Sequence, residues 1–148
     1  MKKIILSIAI IGACLSEAAA QVEYKVVTVV ESIVPMGLGR SRIIEATTDV
    51  EYEQFTTERS EGKDGGKQAK VKRGDAKIEG MRETKLLNFY SGVGLNFQNI
   101  ASNDALISSM INSMAQKGWE VHSVSSGVES AGYKDNAGIF ITRYLFKK

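Results

Sequence analysis

Only one stretch of this chain repeats its apolar residues with a helical period. From Asn103 to Lys117, the residues Leu106, Ile107, Met110, Ile111, Met114 and Ala115 fall three and four apart. Ser108, Ser109, Asn112, Ser113 and Gln116 take the opposite side. A single amphipathic helix has no helical partner for its stripe, so it must lie on a sheet. The predicted fold is therefore α+β: an antiparallel sheet of about four or five strands with this helix packed on one face. Ser102 or Asn103 is placed to cap the helix, Asp104 to meet the positive end of its dipole, and Gly118 to stop it in a left-handed turn. Serine and asparagine are mediocre helix formers, so packing of the stripe must stabilise it more than propensity does. The predicted core residues are Leu106, Met110, Ile111 and Met114, with Gly118 and Trp119 at the helix-to-strand junction.

Strand signals surround the helix. In Val22 to Val30, Val22, Tyr24, Val26, Thr28 and Val30 share one face, while Glu23, Lys25, Val27 and Val29 share the other. Ser32 to Arg42 contains Pro35, Gly37 and Gly39 and reads as a loop. Val50 to Thr57 and Lys85 to Ser91 read as further strands, the first at a sheet edge. Trp119 to Val128 and Ile139 to Phe146 read as an antiparallel hairpin joined by the turn-forming residues of Glu129 to Gly138. Of the twenty-six residues from Glu58 to Glu83, fourteen are charged. That composition buries too little surface to order itself, and 58–83 is predicted as a solvated loop or exposed hairpin.

The first twenty residues have a different character. Lys2 and Lys3 precede an uncharged run from Ile4 to Leu15, and Ala18 and Ala20 supply the small side chains of a signal-peptidase site before Gln21. Twelve apolar residues are too few for the ~20 that span a bilayer. The expectation is export to the periplasm or beyond, with no transmembrane span once residues 1–20 are removed and a single domain over 21–148. Cys14, preceded by Ile11, Gly12 and Ala13, also resembles a lipobox, and cleavage there would leave a lipid-tethered product. Cleavage at Gln21 removes Lys2, Lys3, Glu17 and the only cysteine. Seventeen basic and sixteen acidic side chains then remain, a formal charge of +1, with no thiol for a disulfide or a nucleophile.

The order of motifs adds a likeness. A strand containing Glu23-Tyr24-Lys25 is followed by a helix ending at Gly118, a strand opening Trp119-Glu120-Val121, and a last strand closing on Lys147 and Lys148. This pattern resembles the small bacterial family called domain of unknown function 4177. The resemblance covers Val22 to Val30 and Asn103 to Lys148, with residues 31–102 as an insertion. It implies a fold and carries no activity.

The side chains available for chemistry are few. His122 is the only histidine and has no partner ligands for a zinc site, nor a serine motif to activate. It is expected on a strand surface beside Glu120 and Val124. Gly37-Leu38-Gly39 lacks the third glycine of a dinucleotide fingerprint, and no cofactor or metal motif appears. The near-neutral charge argues against a nucleic-acid-binding role. Lys67, Lys70, Lys72, Arg73 and Lys77 form a basic cluster with no interleaved aromatic residue and read as a solubilising loop.

Arg40 and Arg42, beside two glycines, form a candidate site for an anion or small ligand. Carboxylates are numerous enough for a hydrolase, provided two of them face one cleft. The leading expectation is a non-enzymatic binding domain of the cell envelope whose partner is a protein or another envelope component.

Overall fold

The computed structural model describes residues 22–34, 40–56, 72, 74, 76–129 and 138–148. The proposed leader with Cys14, Ala18, Ala20 and Gln21 lies outside the described residues. So do 35–39, 130–137 and most of the charged segment predicted at 58–83.

Alternation builds the centre of the molecule. Strand β1 (Tyr24–Ser32) buries Val27 and Val29 on one face and pairs antiparallel with β2 (Arg42–Ala46). Strand β3 (Met81–Lys85) pairs with β2; β6 (Glu120–Glu129) and β7 (Ile139–Lys147) form the C-terminal pair. β7 lies against β1 over nine residue pairs, from Tyr24 opposite Lys147 to Ser32 opposite Ile139. The five-stranded antiparallel sheet has the order β3-β2-β1-β7-β6. The first and last strands occupy its middle, while β3 and β6 form its edges. A small hairpin, β4 (Tyr90–Ser91) with β5 (Gly94–Leu95), stands apart from it.

Helix α1 (Phe97–Gln116) crosses one face of the sheet. Met114 joins Val27, Val29, Ile43, Leu86 and Phe146 in the buried core, and Ile107, Met110, Ile111, Trp119 and Tyr144 pack around them. The α+β class and the helix-on-sheet arrangement follow the sequence pattern. Several boundaries do not.

The helix begins six residues before Asn103. Its cap is Asn96, whose side chain accepts from the Asn99 N–H at 3.1 Å. Asn103 is instead fully buried in the helix interior. Leu106, predicted as core, is 40% exposed, because Ile107, Met110, Ile111 and Met114 define the packed stripe and Leu106 lies at its margin.

The strand predicted at Val50 to Thr57 is absent over its described residues, 50–56, where Tyr52–Phe55 forms one turn of 3-10 helix. Local bonds from Gln54 N–H to the Glu51 carbonyl and from Thr56 N–H to the Glu53 carbonyl satisfy the backbone there without a cross-strand partner. The strand pairing with β1 comes from Arg42–Ala46, and β3 ends at Lys85, where the sequence reading begins its strand.

The end of α1 follows from its residues. Gly118 adopts φ +85°, its N–H bonds the Ala115 carbonyl at 2.9 Å, and the Trp119 N–H bonds the Met114 carbonyl at 3.1 Å. These two bonds form a Schellman cap, which needs a left-handed residue at the position of Gly118. Trp119 then turns onto the core beside Met114, with the Lys148 ammonium 5.9 Å from its ring centre.

Candidate functional site

At the N-terminal end of α1, three asparagines with helical spacing hold an extended segment that belongs to no sheet. Asn96 accepts from its own helix through its side chain and bonds the Phe89 carbonyl through its backbone N–H at 2.7 Å. The Asn99 side chain donates to the Asn88 carbonyl at 2.8 Å. Asn103 Oδ1 accepts from the Leu87 N–H at 2.8 Å, while its Nδ2 donates to the Leu87 carbonyl at 2.8 Å and to Glu31 Oε1 at 2.9 Å. Both hydrogens of the Asn103 amide and its oxygen are thereby used. Nearby, Ser41 Oγ accepts from the Ser32 N–H at 2.9 Å and donates to Asn88 Oδ1 at 3.0 Å. Fixed in this way, 86–89 delivers Leu86 to the core.

Glu31 is only 8% exposed. Burial pushes its carboxyl above the ordinary 4.5; the Asn103 hydrogen bond opposes that shift and the charge of Asp104 adds to it. The Tyr144 phenol is raised for the same leading reason, burial, with contributions from the charges of Glu31 and Asp104. The neighbourhood is acidic, and its most buried carboxylate is committed to an asparagine.

The candidate pair Arg40 and Arg42 flanks Ser41 at the start of β2. Arg40 is exposed, and Arg42 Nη1 donates to Glu83 Oε1 at 2.7 Å across the β2–β3 pair. Ser41, between the two arginines, points inward to Ser32 and Asn88. Arg42, Ser41, Glu83 and Lys85 line a shallow hollow of about 220 Å³.

His122 falls at a β-bulge between Val121 and Ser123. The bulge separates it from Val124, which pairs with Tyr144 on the helix side, whereas His122 meets the Tyr24 ring edge-on at 5.7 Å. The expectation that His122 and Val124 share a face is therefore corrected.

Two other clefts accompany the Arg42 hollow. One of about 320 Å³ runs along β6 and β7 from Ser125 to Glu129 with Ile141 and Arg143. The other, of about 210 Å³, opens between α1 and the β2–β3 pair. Among the described residues, each of these three clefts is lined by one carboxylate, Glu129, Glu83 or Glu45. Among the described residues, no group of three or more His, Cys, Asp or Glu side chains is placed to hold a metal ion. No helix there is long and apolar enough to cross a membrane.

Both edge strands, β3 and β6, are exposed at every residue, and β6 is the longer. All ten of its residues are exposed, and among the described residues it pairs with β7 alone. On the side toward α1, Val124 is 53% and Val128 62% exposed. Between Glu120 and Glu129 no residue carries a formal charge, with His122 neutral. The opposite edge differs in kind: β3 has five residues, three of them Arg82, Glu83 and Lys85. Short length and charge blunt an edge, whereas a long uncharged edge leaves backbone donors and acceptors open to a further strand. The sequence reading places a strand here and misses that it forms an edge of the sheet. The missed signal is the uncharged run of serines and valines bounded by two glutamates.

A scan against protein families, a search of curated proteins and a search of solved structures each returned no match.

Proposed function

We propose that this protein is an exported interaction domain of the bacterial cell envelope that binds a partner polypeptide by adding a strand to the β6 edge. The carrying observation is the contrast between the two exposed edges: β6 is ten residues long and uncharged between its end glutamates, β3 short and charged. In strand addition the backbone ladder supplies affinity, and alternate side chains supply selectivity. Val124 and Val128 would form the apolar side of the seam, and Ser123 and Ser125 the polar side. Export rests on Lys2, Lys3, the apolar run and the Ala18 to Ala20 site. The domain has no cysteine after Gln21, so its stability in an oxidising compartment rests on packing rather than on a disulfide.

The test is a photo-crosslinking amino acid placed at Ser125 in the producing bacterium, with Ser109 on the exposed side of α1 as the control position. The expected result is a discrete crosslinked polypeptide at Ser125 that is absent at Ser109 and lost when Val124→Lys and Val128→Lys are introduced. Equal labelling at both positions, or adducts that ignore the lysines, would reject strand addition.

A further inference from the structure

The cleft between the C-terminal half of α1 and the β2–β3 pair has its own chemistry, independent of the β6 edge. It exists because β3 offers the helix nothing apolar to pack on. Opposite Ile43 stands Thr84, and opposite Glu45 stands Arg82. Met110 and Met114 cover Val27 and Ile43, and beyond them a space of about 210 Å³ stays open. Its floor is apolar and includes two methionines, whose unbranched, polarisable side chains adapt to an irregular guest.

The rim is cationic. Glu45 is the one carboxylate among its described lining residues, with Lys25 Nζ at 2.6 Å and Arg82 Nη2 at 3.3 Å. Burial alone would raise the Glu45 pKa, but the hydrogen bond and charge of Lys25, with the charges of Arg82 and Lys117, hold it below the ordinary 4.5. Among the described residues, three cations thus surround one carboxylate and leave a surplus of positive charge. Lys25 is already held by Glu45. Arg82 engages Glu45 through one terminal nitrogen, its side chain is largely exposed, and a guanidinium carries five donors suited to a second oxyanion. Lys117 stands on the same rim.

We infer that this cleft binds a small amphipathic anion, a short alkyl chain ending in a carboxylate or phosphate. The chain would lie on Met110, Met114 and Ile43, and the headgroup would meet Arg82 and Lys117. Size sets the class of ligand: the space is smaller than the roughly 300–1,000 Å³ that houses drug-sized ligands, so it takes a headgroup with a short chain and not a whole lipid. Charge sets the sign, because the surplus disfavours cations and gives a neutral alcohol only the apolar floor to bind.

The test follows the methyl resonances of Met110 and Met114 in the purified protein during titration with octanoate, octyl phosphate and octanol. Saturable shifts of both methyls are expected with at least one anion, and comparison of the two anions tells carboxylate from phosphate. Octanol should bind more weakly by about fivefold or more, and Arg82→Gln should weaken anion binding by about fivefold, the upper range for a partly exposed ion pair. Ser113→Trp, made at an exposed helical position, should fill the cleft and abolish the shifts. Lys85→Gln, on the other face of the sheet, should leave them unchanged. The inference is overturned if neither anion gives a saturable shift, if octanol matches the anions, or if Arg82→Gln binds like the parent.

Discussion

The side chain of Asn103 pairs with the backbone of Leu87 as a neighbouring strand would, accepting from its N–H and donating to its carbonyl, both at 2.8 Å. A helix residue thereby replaces a sheet partner for a segment that leaves the sheet after Lys85. The same amide bonds Glu31 on β1, so one residue of α1 ties together the helix, the central strand and the loop that carries Leu86. Asparagine is a poor choice for helix propensity. Its presence there is explained by the three bonds it makes.

Asn103→Ala should therefore cost about 2–4 kcal/mol, since each buried group left without a partner costs roughly 1–3 kcal/mol and water will reach some of them. Asn103→Asp should be worse at neutral pH: it removes both donors and sets a second carboxylate beside Glu31. Urea unfolding of the two variants at neutral and acidic pH checks this, with the Asp variant recovering part of its loss as the acids protonate.

Two carboxylates give opposite pH dependences. Glu31 has a raised pKa, so the folded state holds its proton more tightly than the unfolded chain and stability falls as pH rises from about 4.5 through the folded value. Glu45 has a lowered pKa, so its contribution is present above 4.5 and is lost as pH falls through its folded value. Glu31→Gln keeps an oxygen for Asn103 and should stabilise the protein at pH 7 but not at pH 4. Glu45→Gln should destabilise it at pH 7, with the difference vanishing in acid. Thermal melts across this range measure both.

The pattern of Val27, Val29, Tyr144 and Phe146 was legible because a half-buried strand alternates, and Met110, Ile111 and Met114 because a helix on a sheet needs one stripe. The turn at Gly118 was legible because little else tolerates a left-handed stop. The start of α1 was not. Asn96, Asn99 and Asn103 read locally as caps and breakers, and only the backbone of 87–89, distant in sequence, turns the last two into interior hydrogen-bonding residues. Arg42 looked available in a glycine-rich loop because its partner Glu83 lies forty-one residues away on β3. Val50 to Thr57 has β-type composition, yet local bonds within Glu51 to Thr56 satisfy its backbone first.

Gly118→Ala should cost about 1–2 kcal/mol, the penalty for a left-handed non-glycine residue. An added Cβ would meet only the flexible Lys148 Cε at 3.4 Å, so the loss reports backbone strain and not a clash. Chemical unfolding should show the drop with an unchanged denaturant slope.

Mass spectrometry of the product from the producing bacterium tests the export expectation. A chain starting at Gln21 is predicted. A diacylglyceryl adduct on Cys14 would instead identify a tethered lipoprotein, and an intact Met1 would reject processing.

If β6 receives a partner strand through its backbone, its amides must become protected from hydrogen exchange in the complex. Exchange is compared between the free protein and the complex recovered through the Ser125 crosslink. Peptides covering 120–129 are expected to exchange faster than those covering 139–147 in the free protein and to gain strong protection in the complex, with α1 unchanged. Protection that appears over 97–116 while 120–129 stays open would contradict it.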